Sequence, residues 1–258
     1  MRKVVLFKSP SEDYELAFRG SEYEVVFVEP LQFEYRNLAE LGERLQRPYD
    51  GAVFTSPRAV EAVARCWSPA KFALWNTRKV YTVGEASAQK IKLALGLDAV
   101  GSAAGNAETL AELIAAENDA HSEFLFPSGN LRSEILPNIL EAKGIRVDSV
   151  TVYETKENVE LRSSLLEINE DAPACMVFFS PSGCEYIYRQ LQTFANRLSD
   201  LPHFAIGNST AHKIENLGVE IAGVASKPKA ECVLQAIQQF FSICLVQRIC
   251  FKVNYFSD

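Results

Sequence analysis

The sequence predicts an α/β protein built from parallel-sheet units, on three observations. Short apolar runs alternate with amphipathic stretches at helical spacing, the pattern of successive βαβ units. FTSPRAVEAV at Phe54–Val63 returns as FFSPSGCEYI at Phe178–Ile187, with Ser56-Pro57 and Ser180-Pro181 124 residues apart. VGEASAQKI at Val83–Ile91 returns as IGNSTAHKI at Ile206–Ile214, in the same order and at nearly the same spacing. Two motifs repeated in register mean two copies of one α/β unit.

The elements follow in order. Apolar, β-branched runs predict strands at Val4–Phe7, Glu24–Val28, Ala52–Thr55, Val80–Val83, Ala99–Gly101 and Glu123–Phe126, then at Val147–Tyr153, Met176–Phe179, His203–Ile206 and Glu220–Ala222. Periodic stretches predict helices at Pro57–Cys66, Glu85–Leu95, Ala107–Glu117, Leu131–Lys143, Ser182–Phe194, Ser209–Leu217 and Ala230–Phe241. Helix starts carry their own signals. Ser56 and Ser180 each precede a proline, the N-cap and first-turn pairing, and Asn106 and Asn130 read as two further caps.

The second copy ends after its third strand and lacks two strands. RKVVLFKSP near the N-terminus is similar to SEFLFPSGN, and YEVVFVEPLQFE to IRVDSVTVYET, each about 120 residues earlier. Residues 1–31 with 157–258 are therefore expected to form one discontinuous domain, and 32–156 an inserted one. The chain then crosses between domains twice, near Pro30–Phe33 and Val152–Thr155, and the two crossings can pair as a short two-stranded hinge. The competing arrangement is a simple tandem, which would leave the second sheet truncated with an apolar edge.

Composition limits the function classes. A length of 258 residues, 48% apolar, gives a proper core, and a net charge of −7 offers no footprint for nucleic acid or an anionic membrane. MRKVVLFKSP has too short an apolar run for a signal peptide, and no stretch approaches 18 apolar residues. Cys66, Cys175, Cys184, Cys232, Cys244 and Cys250 show no CxxC spacing and do not pair with His121, His203 or His212 at zinc-like intervals. No metal site is expected.

Every motif named above is a β-to-α turn at the carboxyl end of a parallel strand, where open α/β sheets bind ligands and helix N-termini offer amides to anions. The first copy supplies Ser56, Arg58, Gly84, Ser87 and Asn106, with Ser128, Gly129, Asn130 and Arg132 in PSGNLR. The second supplies Ser180, Ser182, Gly183, Ser209 and Thr210. Many amides, hydroxyls and a few cations suit a molecule with several carboxylates or phosphates. The bland alternative is that a serine–proline helix start is only a cap. The set is poorly suited to nucleophilic catalysis: no GxSxG elbow, Ser-His-Asp spacing, Walker lysine or GxGxxG appears.

Taken together, FTSPRAVEA, VYTVGEASA, GNAETLAELI, LFPSGNLRSEILP, SVTVYET, FFSPSG and FAIGNSTA resemble the uroporphyrinogen-III synthase family in its animal form, in the family's order over most of the chain. The resemblance implies two flavodoxin-like domains joined by a two-stranded β linker, and no metal or organic cofactor. It implies the reaction: hydroxymethylbilane, an octacarboxylate linear tetrapyrrole supplied by porphobilinogen deaminase, is dehydrated and cyclised with inversion of ring D through a proposed spiro intermediate. It further implies a cytoplasmic monomer.

Hydroxymethylbilane closes spontaneously to the type I isomer, so positioning is the main lever, with modest acid assistance to the leaving hydroxyl. Tyr153 in TVYET matches the tyrosine proposed to assist that departure; the alternative is a hinge tyrosine that only packs. Ser56, Ser87, Ser180 and Thr210 match cleft-lining positions. The chain departs from the pattern at Ser87, where animal relatives often carry threonine, and at Arg132-Ser133, where a basic pair is reduced to one cation. Arg58, Arg132, Lys90 and Lys213 would have to outweigh the net charge of −7.

The tail after Gln239, FFSICLVQRICFKVNYFSD, is apolar where a short polar end is expected, and Gln247 and Arg248 interrupt it. Two other functions fit parts of the sequence. A two-lobed protein that binds an anionic small molecule without chemistry would be expected to have lost some of the paired turns. A nucleotide-dependent enzyme lacks its phosphate-binding glycines.

Overall fold

The computed structural model describes residues 1–70 and 72–254, with side chains through Ile243 in the last helix. In chain order the strands are β1 (Arg2–Phe7), β2 (Tyr23–Phe27), β3 (Leu31–Tyr35), β4 (Gly51–Phe54), β5 (Lys79–Thr82), β6 (Glu123–Gly129), β7 (Arg146–Glu157), β8 (Cys175–Phe178), β9 (His203–Ala205) and β10 (Gly223–Val224). The helices are α1 (Glu12–Phe18), α2 (Leu38–Arg44), α3 (Pro57–Cys66), α4 (Glu85–Leu95), α5 (Ala107–Glu117), α6 (Ile135–Ala142), α7 (Leu161–Glu170), α8 (Pro181–Leu191), α9 (Asn208–Asn216) and α10 (Ala230–Asn254).

The chain divides into two compact units, Met1–Gln32 with Glu157–Asp258, and Phe33–Lys156. The first carries a sheet in the order β10-β9-β8-β1-β2, with every neighbouring pair parallel. The other sheet runs β3-β7-β6-β4-β5, parallel from β7 to β5. Val100 adds one parallel bridge to Tyr81 at its far edge. Read from β7 to Val100, this sheet repeats the order of the first read from β2 to β10. Both β3 and β7 run across the boundary between units.

Each sheet is covered on both faces, which is why the central strands β1, β4 and β8 carry continuous buried runs, whereas β7 nearer the edge alternates. Val5, Phe7, Met176 and Phe178 face Leu161 and Leu165 of α7 and Ile187 of α8. The intervening Val4, Leu6, Cys175 and Val177 face Tyr14 and Phe18 of α1 and Val233 and Ile237 of α10. In the other unit Ala52, Phe54, Val80 and Leu125 pack on Leu41, Val60, Val63 and Ile91, while Val53, Tyr81, Phe124 and Phe126 pack on Leu110, Ile114, Leu136 and Leu140. A side chain as completely buried as Phe178 contributes roughly 2–3 kcal/mol of transfer free energy.

Several expectations need correction. Helix α6 begins at Ile135, not Leu131, because Asn130 does not cap it: the Asn130 amide pairs with the backbone of Thr155 instead, accepting from its N–H at 2.8 Å. Ala99–Gly101 contributes only the Val100 bridge, and the last strand lies at Gly223–Val224 rather than Glu220–Ala222. Helices α1, α2 and α7 add to the set that the periodic stretches predict, and in α7 Leu161, Leu165 and Ile168 carry the spacing of a buried helical stripe. Helix α10 continues beyond Phe241 to Asn254, while the tail's side chains from 244 on and residues 255–258 lie outside those described. Among the described residues no helix is long and apolar enough to cross a membrane.

Candidate functional site

In the unit formed by Phe33–Lys156, the chain leaves β4 outward to β5 and then returns to β6 on β4's other side. The gap between the carboxyl ends of β4 and β6 is thus a topological switch point, the place where open parallel sheets bind ligands. Ser56 follows β4, and Ser128 and Gly129 end β6. Tyr153 lies on β7, the next strand along.

The local geometry brings three of these residues into contact. Ser56 is the N-cap of α3, and its Oγ accepts from the N–H groups of Arg58 at 3.2 Å and Ala59 at 3.4 Å. The same oxygen lies 3.0 Å from Tyr153 Oη. On the other side of the phenol, β6 and β7 pair in strict register from Glu123/Arg146 to Ser128/Thr151, then slip by one residue so that Gly129 faces Tyr153. A bulge of this kind re-aims a side chain. A Cβ on Gly129 would stand 2.5 Å from Tyr153 Cζ and 2.8 Å from Oη, so only glycine lets the ring lie there.

The surrounding residues hold this arrangement. Asn130 accepts from Thr155 N–H at 2.8 Å and donates to Thr155 C=O at 3.4 Å, tying the β6–α6 turn to β7. Arg132 contacts Glu134 through Nη2 at 3.2 Å, and its Nε, like Ser128 Oγ, is buried with no hydrogen-bond partner. The Arg58 guanidinium stacks over Phe33 with 3.3 Å between Cζ and the ring centroid. Sequence reasoning missed Phe33, whose only signal was its place in the hinge segment LQFEY.

The remaining positions of this unit sit on separate turns. Gly84 opens α4 with φ +82° and donates its N–H to Ser102 C=O at 3.0 Å; Ser87 is buried in the first turn of that helix. Asn106 caps α5 by accepting from Thr109 N–H at 2.8 Å. Lys90 is engaged by Glu61, so it is not a free cation for a ligand. Burial alone would raise the Glu61 carboxyl, but hydrogen bonds from Lys90 and Tyr35 outweigh it and hold the group below the usual carboxylate range.

The other unit repeats the turn chemistry around its own switch point, between β1 and β8. Ser180 caps α8, accepting from Gly183 N–H at 3.0 Å. Gly183 is packed so closely that a Cβ would lie 2.9 Å from Ser180 Oγ and 3.2 Å from Pro30 Cγ. Ser182 is half-buried, Ser209 exposed, and Thr210 buried in the first turn of α9. Lys213 is held by Glu185 at 2.9 Å. No cluster of His, Cys, Asp or Glu among the described residues has the geometry of a metal centre.

Comparison with known proteins places these features in context. A family model for uroporphyrinogen-III synthase HemD matches residues 12–235. The uroporphyrinogen-III synthase of Saccharomyces cerevisiae is 30% identical, over 92% of this chain and 96% of that protein. Among solved structures, a mutant uroporphyrinogen III synthase from the extremely thermophilic bacterium Thermus thermophilus aligns with TM-score 0.63 at 16% identity, over 94% of this chain and 99% of that one. The uroporphyrinogen-III synthetase of Helicobacter pylori aligns with TM-score 0.63 at 20% identity, over 93% and 99%. At these identities the two structures establish the shared fold, two parallel-sheet α/β domains.

Proposed function

The chain belongs to the uroporphyrinogen-III synthase family, and from that premise we propose how its own residues serve the cyclising dehydration of hydroxymethylbilane. The observation that carries this reading is the phenol of Tyr153, held between Ser56 and Gly129 at a switch point of the sheet.

The difficult part of the reaction is choice rather than reactivity. An electron-rich pyrrole expels the hydroxyl of the terminal hydroxymethyl group with ease, and unassisted closure gives the type I ring. The protein has to hold one folded conformation of the substrate so that the new carbon–carbon bond forms at the substituted carbon of ring D, which then inverts. In this reading Tyr153 O–H donates to the leaving hydroxyl: as the carbon–oxygen bond breaks, the phenol proton departs with that oxygen as water. The proton is restored when the closing ring loses its own.

The turns supply the grip. Arg58, Arg132, Ser128 and Asn130 near Tyr153, with Gly84, Ser87 and Asn106 on neighbouring turns, bind carboxylates in this reading. Ser180, Ser182, Gly183 and Thr210 serve likewise in the other unit. Arg132 is the strongest of these, since its buried Nε has no partner and gains most from an oxygen ligand. The fixed Phe33–Arg58 stack favours a planar, directional cation over a mobile one.

The same reading makes the protein a cytoplasmic monomer fed by porphobilinogen deaminase. One chain carries every residue invoked, and the thiols of Cys175 and Cys184, pushed up to about 12 by burial, are inert core groups as in reduced proteins. The test is to couple the purified protein to porphobilinogen deaminase and porphobilinogen, oxidise the products and separate the uroporphyrin isomers. Type III in excess supports the reading. Type I alone, from folded protein, refutes it in favour of a non-catalytic binder.

A further inference from the structure

We infer that Ser56 is a positioning residue that orders the proton of Tyr153: the serine donates to the phenol oxygen, leaving the phenol's own hydrogen free to point away from α3. The inference rests on the reading of Tyr153 as the hydrogen-bond donor to the leaving hydroxyl.

A hydroxyl has one hydrogen and two lone pairs. The structure engages the acceptor side of Ser56 Oγ through the Arg58 N–H at 3.2 Å and through the Ala59 N–H at 3.4 Å, the latter shared with the Ser56 C=O at 3.2 Å. Backbone amides cannot reverse their polarity, so those two contacts fix the direction of the third. What remains to Ser56 is its hydrogen, and Tyr153 Oη lies 3.0 Å away. If Tyr153 were the donor instead, three hydrogens would converge on one serine oxygen while the serine's own hydrogen lost this partner. The cap therefore decides the sense of the Ser56–Tyr153 bond.

This arrangement does two things for the reaction. It keeps the Tyr153 hydrogen from being spent on a neighbour within the protein, and the ring's flat seat on Gly129 fixes the arc that hydrogen can sweep. It also steadies what is left after transfer. Once the phenol proton has gone, the oxygen carries negative charge, and a hydroxyl already donating to it stabilises that charge without reorganisation. The amino end of α3, ten residues long, adds a favourable potential at the same place. The sequence shows the cap; only the fold shows that the cap's hydroxyl has a second addressee 97 residues away.

Three variants separate this role from simple capping. Ser56→Thr keeps cap and donor. Ser56→Asp keeps the cap, since aspartate is as good an N-cap as serine, but has no hydrogen to give, so Tyr153 must donate to it. Ser56→Ala loses both. The measurements are kcat for type III product at saturating hydroxymethylbilane, KM, and the thermal midpoint. Ser56→Thr is expected to keep kcat within about threefold. Ser56→Asp is expected to lose tenfold or more in kcat, a part of the roughly 100- to 10,000-fold that a positioned proton donor supplies, with the thermal midpoint held. Ser56→Ala should lose kcat and stability together. A Ser56→Asp protein with wild-type kcat overturns the inference, as does a Ser56→Thr protein that folds normally yet is as slow as Ser56→Ala. If the wild-type protein itself yields only type I, the reading of the reaction fails, a result distinct from either of these.

Discussion

Gly129 and Tyr153 face each other across β6 and β7 only because the ladder slips by one residue between Ser128 and Gly129. Without the slip Val152 would stand opposite Gly129. The phenol is thus aimed by a backbone irregularity, and it lies in space that any side chain at 129 would occupy.

Gly129→Ala should displace the Tyr153 ring. A Cβ 2.5 Å from Cζ forces the ring or strand to shift, an overpacking cost of about 1–3 kcal/mol. The expected outcome is a lower thermal midpoint with a larger share of type I product. Isomer analysis and calorimetry check the two halves, and an unchanged isomer ratio would mean the ring's seat does not matter to closure.

The caps give a purely thermodynamic prediction. Asn106→Ala and Ser180→Ala each remove a side-chain acceptor that serves a helix's first turn, and each should cost about 1 kcal/mol of unfolding free energy. Denaturant titration measures both. A loss well under half that size for Ser180→Ala would show that the helix amides are satisfied in other ways.

His203 makes stability sensitive to acid. It is buried against Phe178 and Tyr188, with Tyr188 Oη 3.2 Å from Nδ1. Burial lowers its pKa from 6.5 to about 4, only partly offset by the Leu198 backbone. The unfolded chain therefore binds a proton that the folded one refuses. The contribution is complete above pH 6.5 and is lost as pH falls toward 4, of order 3 kcal/mol at most. His203→Gln should flatten that slope in pH-dependent unfolding; an identical slope would assign the acid sensitivity to other groups.

Binding should weaken with salt. The substrate is octa-anionic and the protein carries −7, so attraction has to be local, and screening would act first on the contacts proposed for Arg58 and Arg132. KM for hydroxymethylbilane is expected to rise between low and physiological ionic strength while kcat changes little. A KM that ignores salt would assign the grip to neutral amides and hydroxyls.

The legible parts of the fold were those written locally. Ser56 and Asn106 cap their helices through nearby amides, and α3, α4 and α5 begin and end where their sequences indicate. The alternation of βα units and the repeated turns gave the fold class. Long-range competition was not legible. Asn130 reads as a cap, yet its amide is claimed by Thr155, 25 residues on, and α6 starts late as a result. Lys90 reads as a free cation until Glu61 reaches it, and Lys213 until Glu185 does. Tyr153 could be singled out only by family resemblance. Its contact with Ser56 spans three neighbouring strands, β7, β6 and β4, beside a switch point, which no local pattern encodes.

The most direct measurement compares wild-type and Tyr153→Phe protein in single-turnover closure of freshly generated hydroxymethylbilane, following both the rate and the type III to type I ratio. Removing one hydroxyl leaves the ring on Gly129 and the cap on α3 intact, so the variant should fold normally. A rate at least tenfold lower, with type I gaining as spontaneous closure competes, is the predicted result. Wild-type rate and isomer ratio in the variant would contradict the account, and would make Tyr153 a packing residue of the β6–β7 ladder.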